Sequence, residues 1–175
     1  LAASILLVFV GLHGRYRPDN QDDAWFLSFA YNYVERGIES DTVYGAPPGA
    51  GGYGGVQLFG KIYGGLYGTI LRWVGWTKSN AHLLSTALVV LTALCWGFIL
   101  RALGYSRRLA VLFGLLMLLA EPFFGAANGA RPDALSFLLV STALLLFVRR
   151  RPAAAGCAAV LAMEPGVLVL DEPLA

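Results

Sequence analysis

Two adjacent aspartates begin the segment QDDAWFLSFAYNYVERG, residues 21–37, in a chain that is otherwise strongly apolar. A carboxylate can accept a proton from a hydroxyl or amine, so Asp22 and Asp23 are candidate proton acceptors. A structural explanation competes, because Asn20 or Asp22 could cap the following helix, and acids in a first turn complement the helix dipole. Capping needs only one acid, whereas the sequence supplies two.

A second charged cluster lies in ANGARPDALSFLLVS, residues 127–141. Pro132 and Asp133 are ordinary residues at the start of a helix, but Arg131 has no such explanation. Arginine presents a fork of donors that suits a phosphate group. Carboxylates combined with an arginine therefore predict a site for an anionic phosphate substrate and a hydroxyl or amine acceptor. Glu121 is a weaker candidate for the same site.

The elements that must position these residues are apolar helices. Hydrophobic residues make up 57% of the 175 positions and charged residues only 14%, which is far too apolar for an ordinary soluble domain. Residues 81–100 carry no charge and are long enough to cross about 30 Å of hydrocarbon. Three shorter or interrupted runs are also predicted to span: residues 109–130, 134–148 and 153–170.

The predicted fold is all-α, a polytopic transmembrane helical bundle that forms one domain and is a fragment of a longer protein. Residues 1–12 would belong to a first span, residues 13–80 to an outer loop with amphipathic interfacial helices, and residues 81–175 to further spans. A cleavable signal peptide is the alternative for residues 1–12, but no small-residue cleavage site follows them. Residues 56–76, with aromatic and basic side chains, are predicted to form an interfacial or re-entrant helix rather than a span.

The arginines predict which side each loop faces. Clusters at residues 101–108 and 149–151 should be cytoplasmic, since basic residues mark that side of short loops. Two predicted spans separate the clusters, which agrees with this rule. Residues 13–55 hold three arginines and six acidic residues, and they then lie outside. Arg131 and Asp133 also lie outside, where positive charge is not expected.

The segment after the aspartates is predicted to be an amphipathic helix on the outer membrane surface. Its apolar positions recur at a spacing of three or four residues: Phe26, Phe29, Ala30 and Tyr33. Polar residues occupy the other faces: Ser28, Asn32, Glu35 and Arg36. Gly37 is a natural stop for a helix. Asp22 and Asp23 would lie in its first turn, at the boundary of water and lipid.

In their order along the chain, these segments resemble the GT-C superfamily of multi-pass glycosyltransferases, among them the protein mannosyltransferase and aminoarabinose transferase families. QDDAWFLSFAYNYVERG resembles the acidic-pair helix of their first outer loop, and LFGKIYGGLYGTILRWVGW resembles their second interfacial helix. ARPDALSFLLVSTALLLF resembles a span that begins with Arg-Pro-Asp. The order of the motifs carries the resemblance, since no single motif is specific.

The resemblance implies an inverting transfer of a sugar from a polyprenyl-phosphate carrier to a glycan, lipid or protein acceptor. Asp22 or Asp23 would be the catalytic acid, and Arg131 and Asp133, with Glu121 as a weaker candidate, would contact the sugar phosphate. Some members of the superfamily use a divalent metal ion and others use none, so metal dependence stays open. The composition is typical of a bacterium with GC-rich genes, which implies the inner (plasma) membrane with the active site on its outer face.

Other functions compete with this interpretation. A transporter or flippase for a lipid-linked or anionic solute could use the same ionisable residues, and a scaffold without activity also stays open. GVQLFGK has the spacing of a phosphate-binding loop, but Ile62 stands at its Ser/Thr position. The end AMEPGVLVLDEPLA resembles the second ATP-binding motif of transporter ATPases, without an acceptable phosphate-binding loop before it. Basic residues are too few and dispersed for nucleic-acid binding.

The two histidines have no partner at metal-ligand spacing. His13 follows the first apolar run, and His82 lies near the start of the run 81–100. We therefore predict that each is a solvated or core histidine without a role in the site.

Overall fold

The structure is a computed structural model, and it describes residue 11 and residues 21–37 and 61–150. Within these ranges the chain is helical and contains no strand, which confirms the predicted all-α class for this part. The α-helices are α1 (Gln21–Tyr31), α2 (Gly68–Val74), α3 (Lys78–Ala102), α4 (Arg107–Leu119), α5 (Glu121–Ala127) and α6 (Pro132–Val148). Two π-helical segments, Asn32–Arg36 and Tyr63–Tyr67, continue α1 and lead into α2.

Several predictions fall outside the described residues. They concern the first span at residues 1–12, the loop at residues 38–60, the span at residues 153–170, His13, and the ATPase-like end. The phosphate-loop-like motif lies outside as well, apart from its lysine.

Helix α3 covers the whole of residues 81–100, the run that is predicted most strongly to span. It has 25 residues and is therefore about 37 Å long, which exceeds the roughly 30 Å of a bilayer core. Thr77 begins it as an N-cap, since the Thr77 hydroxyl accepts a hydrogen bond from the Asn80 N–H at 3.1 Å. By length and composition, α3 is one helix in the described part that could cross a membrane.

The run at residues 109–130, which is predicted to span, is not one straight helix. Helix α4 ends just before Ala120, whose backbone is extended. Helix α5 begins just after it, at a bend of 66°. Pro122 explains the break, because proline has no N–H for the helical bond to Leu118 and its ring would clash with that carbonyl. The described residues thus hold one candidate span, or two if the bent pair counts as one. Helix α6 has 17 residues, and the polytopic arrangement stays a prediction.

The helix predicted after the aspartates is confirmed, with its start at Gln21 and its end at Gly37. Gly37 has φ 67°, a left-handed conformation that glycine adopts without the strain of a side chain. Phe26, Phe29 and Ala30 of the predicted apolar face are buried within the protein, and Asn32, placed on a polar face by the sequence, is buried as well. The helix is thus enclosed more completely than an amphipathic pattern implies.

The described part of the predicted interfacial helix, residues 61–74, is helical and packs closely on α1. A Cβ on Gly68 would lie 2.7 Å from the Ala30 carbonyl oxygen, so the two backbones approach as only a glycine permits. The Tyr67 hydroxyl donates to the Ala81 carbonyl at 2.6 Å and also bonds the Ser85 hydroxyl at 2.6 Å. These bonds fix residues 61–74 to α3. Their placement relative to a membrane stays a prediction.

Helix α3 is central, with α4, α5 and α6 packed around it. Its buried side is rich in polar residues: His82, Ser85, Thr86 and Thr92. Its exposed side is apolar: Leu83, Leu91, Leu94 and Phe98. Helix α4 likewise exposes apolar side chains, including Leu112 and Leu116. The polar side chains of α3 thus include several that face inward, and a soluble monomer rarely exposes so large an apolar surface.

Candidate functional site

The carboxylate of Asp23 joins three elements. Asp23 lies in the first turn of α1 and is only 4% exposed. Its Oδ2 lies 2.6 Å from Nε2 of His82 in α3, and its Oδ1 accepts the Ala130 N–H at 2.8 Å. Ala130 belongs to the loop at residues 128–131, between α5 and α6. Both oxygens therefore bond groups outside α1, and the capping explanation does not account for this side chain.

His82 is the functional candidate that the sequence prediction missed. It is fully buried, which agrees with the core-histidine alternative, and Asp23 bonds it across 59 positions of the sequence. One signal could have revealed it, since an ionisable residue in an apolar span faces the interior and needs a partner. His82 Nδ1 makes no hydrogen bond within the described ranges. The imidazole therefore has one ring nitrogen bonded and one unused.

The loop at residues 128–131 is held on both sides of Ala130. Asp23 binds the Ala130 N–H, while the Tyr63 hydroxyl donates to the Ala130 carbonyl at 2.7 Å. Burial raises the pKa of the Tyr63 phenol well above its usual range, and the neighbouring Tyr67 and Asp23 raise it further. Tyr63 therefore keeps its proton and remains a hydrogen-bond donor at physiological pH.

Gly129 brings Asp23 and Arg131 together. A Cβ on Gly129 would lie 2.9 Å from Asp23 Oδ1 and 3.2 Å from Arg131 Cγ. A side chain at this position would therefore displace the carboxylate and crowd the arginine. The absence of a side chain lets the acidic residue of α1 and the arginine before α6 flank the same backbone.

Arg131 and Asp133 form an ion pair at the start of α6. Arg131 Nε lies 3.0 Å from Asp133 Oδ2, and the two side chains are 39% and 46% exposed. Within the described part of the chain, the terminal Nη atoms of Arg131 have no protein partner. Because a guanidinium carries five N–H donors, and Nε makes no hydrogen bond despite its short distance to Asp133, this arginine keeps donors available for an anion.

The remaining predicted site residues do not join this cluster. Glu121 is exposed at the first residue of α5 and forms no hydrogen bond or ion pair with any described residue. Asp22 lies in the first turn of α1, but its side chain is outside the described part. The structure thus brings together Asp23, Arg131 and Asp133 from the predicted set, and it adds His82.

A divalent metal ion does not fit the described donors. No group of three histidine, cysteine, aspartate or glutamate residues within the described ranges could hold one. The two closest donors, Asp23 Oδ2 and His82 Nε2, are bonded to each other at 2.6 Å, so a shared metal would require them to separate. A carboxylate and an imidazole are both side-chain types that act as general bases.

Comparisons with known proteins identify no relative. No protein-family model matches the chain, and no curated protein or solved structure matches it significantly. The function is therefore inferred from the placement and chemistry of these residues.

Proposed function

We propose that this protein is a membrane glycosyltransferase that moves a sugar from a polyprenyl-phosphate carrier to an acceptor at the outer face of the membrane. The observation that carries the proposal is the bonded pair of Asp23 and His82, with Arg131 beside the same residue, Gly129, as the Asp23 carboxylate. Sugar transfer from a phosphate carrier needs a group that accepts the acceptor's proton and a cation that stabilises the departing phosphate. The Asp23–His82 pair supplies the proton acceptor, and Arg131 supplies the cation that stabilises the phosphate.

The polarity of α3 supports the membrane placement. Its interior side carries His82, Ser85 and Thr86, while its outer side carries leucines and a phenylalanine. Helices in lipid show this arrangement, because polar side chains turn toward other helices and apolar ones face the acyl chains. Arg101 and Arg107 lie at the far end of α3 and mark the cytoplasmic side. The end with His82 then faces outward.

The proposed reaction is a direct displacement. The acceptor oxygen attacks the anomeric carbon of the sugar, and the bond from that carbon to the carrier phosphate oxygen breaks. The electron pair leaves with the phosphate, whose charge Arg131 stabilises. The acceptor proton passes to Asp22 or Asp23, and a proton that reaches Asp23 can be shared with His82. Attack opposite the leaving phosphate inverts the configuration of the sugar.

The position of the Asp23–His82 pair favours an enzyme over a transporter. His82 is the fifth residue of α3 and thus lies about 6 Å from the start of a helix of about 37 Å. Transporters place their binding groups near the middle of the membrane. A site near the end of the helix suits a reaction between a lipid-borne donor and a water-borne acceptor.

The test is sugar transfer from a radiolabelled polyprenyl-phosphate sugar pool in membranes that contain the protein. We expect Asp22→Asn or Asp23→Asn to abolish transfer and Arg131→Gln to reduce it strongly. Glu35→Gln is the matched control, since it replaces another carboxylate by an amide after α1, outside the site. For each variant we measure the expression level and the monodispersity of the detergent-solubilised protein, so that misfolding is distinguished from a loss of catalytic activity.

Two outcomes would contradict the proposal. One is transfer by both aspartate variants at the rate of the unaltered protein. The other is a folded protein that binds the lipid donor but shows no transfer, with binding retained in Asp22→Asn and Asp23→Asn. The second outcome would favour the transporter or the scaffold.

A further inference from the structure

An apolar groove runs between α3 and α4, separate from the Asp23 site. Its volume is about 420 Å³, within the range of roughly 300–1,000 Å³ that is common for ligand pockets. Apolar side chains from both helices line it, among them Leu94, Phe98, Val111 and Leu115. No residue of the Asp23 site contributes to its walls, so it needs an explanation of its own.

Two arginines stand at one end of this groove. Among the described residues that line it, Arg101 and Arg107 are the charged ones, and both are exposed. Arg101 lies in the last turn of α3 and Arg107 is the first residue of α4, so the short turn between the helices brings both to the same end. Arg101 Nη1 donates to the Tyr105 carbonyl at 2.7 Å, which orients the guanidinium and leaves its other donors available.

Glycines keep the middle of the groove open. Gly97 and Gly114 both line it. A Cβ on Gly114 would lie 3.3 Å from the Ala93 carbonyl oxygen, so the helices approach closely at that point. A Cβ on Gly97 would have its nearest neighbour, the Ala110 carbonyl oxygen, at 3.9 Å. The space beside Gly97 could therefore accept a chain of methylene groups.

We propose that this groove binds an anionic phospholipid, with an acyl chain between α3 and α4 and the phosphate at Arg101 and Arg107. An apolar channel that ends in two cations complements a molecule with an apolar chain and an anionic head. Arginine binds phosphate oxygens through paired N–H donors, and basic residues at the cytoplasmic surface attract anionic lipids. The inference rests on the membrane placement proposed above, but it does not depend on sugar transfer.

The experiment measures retained lipid by native mass spectrometry. The purified protein is equilibrated in detergent micelles that contain phosphatidylglycerol or phosphatidylcholine. We expect preferential retention of phosphatidylglycerol and a loss of about fivefold for each arginine removed in Arg101→Gln and Arg107→Gln. Arg72→Gln is the matched control, because it removes the same charge from an exposed arginine outside the groove. It should retain lipid as the unaltered protein does.

A second variant tests the acyl part of the proposal without changing the charge. Gly97→Leu places a side chain in the groove and keeps both arginines, so we expect it to reduce phosphatidylglycerol retention severalfold. Equal retention of the two lipids by the unaltered protein, or an equal loss in Arg72→Gln, would overturn the proposal. So would full retention by Gly97→Leu. Sugar transfer by the same preparations is assayed separately, so a negative lipid result leaves the proposed enzyme activity untouched.

Discussion

The two ends of α3 place charged groups in different environments, buried at one end and exposed at the other. At the His82 end, three elements close around a buried carboxylate whose two oxygens both have partners. At the Arg101 end, an open apolar groove leads to exposed guanidinium groups. A buried polar group depends on the exact distance to its partners, because nothing else can satisfy it. An exposed cation acts through charge and tolerates movement. Substitutions should therefore perturb geometry at one end and charge at the other.

The largest effect on stability is expected for His82→Leu. It leaves the Asp23 carboxylate buried without its closest partner, which should lower the free energy of unfolding by about 3–5 kcal/mol. The double variant Asp23→Leu with His82→Leu should recover part of that loss, because it leaves no unpaired charge. Unfolding of the purified protein in mixed detergent and SDS micelles measures both. An equal or greater loss in the double variant would show that the pair is not coupled in this way.

A smaller effect is expected for Gly129→Ala. The added methyl group would meet Asp23 Oδ1 at 2.9 Å, and overpacking of this kind costs about 1–3 kcal/mol. Gly125→Ala is the matched control, since a Cβ there has no neighbour within 4 Å and the position is helical. That control should stabilise the protein by about 0.5–1 kcal/mol. Similar unfolding energies for the two variants would contradict the proposed close contact.

The smallest of these effects is expected for Tyr63→Phe, which removes one hydrogen bond to Ala130 and should cost about 1–2 kcal/mol. The raised pKa of Tyr63 adds a pH dependence. Above about pH 10 the unfolded chain ionises this phenol while the folded protein does not, so the stabilising contribution is full below that pH and falls above it. Tyr63→Phe should lose this part of the alkaline sensitivity. Tyr105→Phe, at an exposed tyrosine, should keep it.

Features set by neighbouring residues could be predicted from the sequence, and features set by distant contacts could not. Helix α3 and the end at Gly37 of the π-helical segment that continues α1 follow from local apolarity and backbone preference. The break at Ala120 was missed because the apolar run was followed through Pro122, although proline itself carries the signal. The contacts of Asp23 join positions 59 and 107 residues apart. Periodicity contains no information on which distant groups such a carboxylate meets.

The two hydrogen bonds to the backbone of Ala130 also restrict the motion of the loop at residues 128–131. A loop without regular secondary structure usually fluctuates by itself, but both backbone groups of Ala130 are tied to other elements, the N–H to α1 and the carbonyl to Tyr63. The loop can therefore open only if it carries those elements with it or breaks both bonds at once. A molecule that binds beside Asp23 would therefore contact a loop with little freedom to move. Any widening of the space beside Asp23 requires a joint displacement of α1 and of residues 61–74, which pack on it.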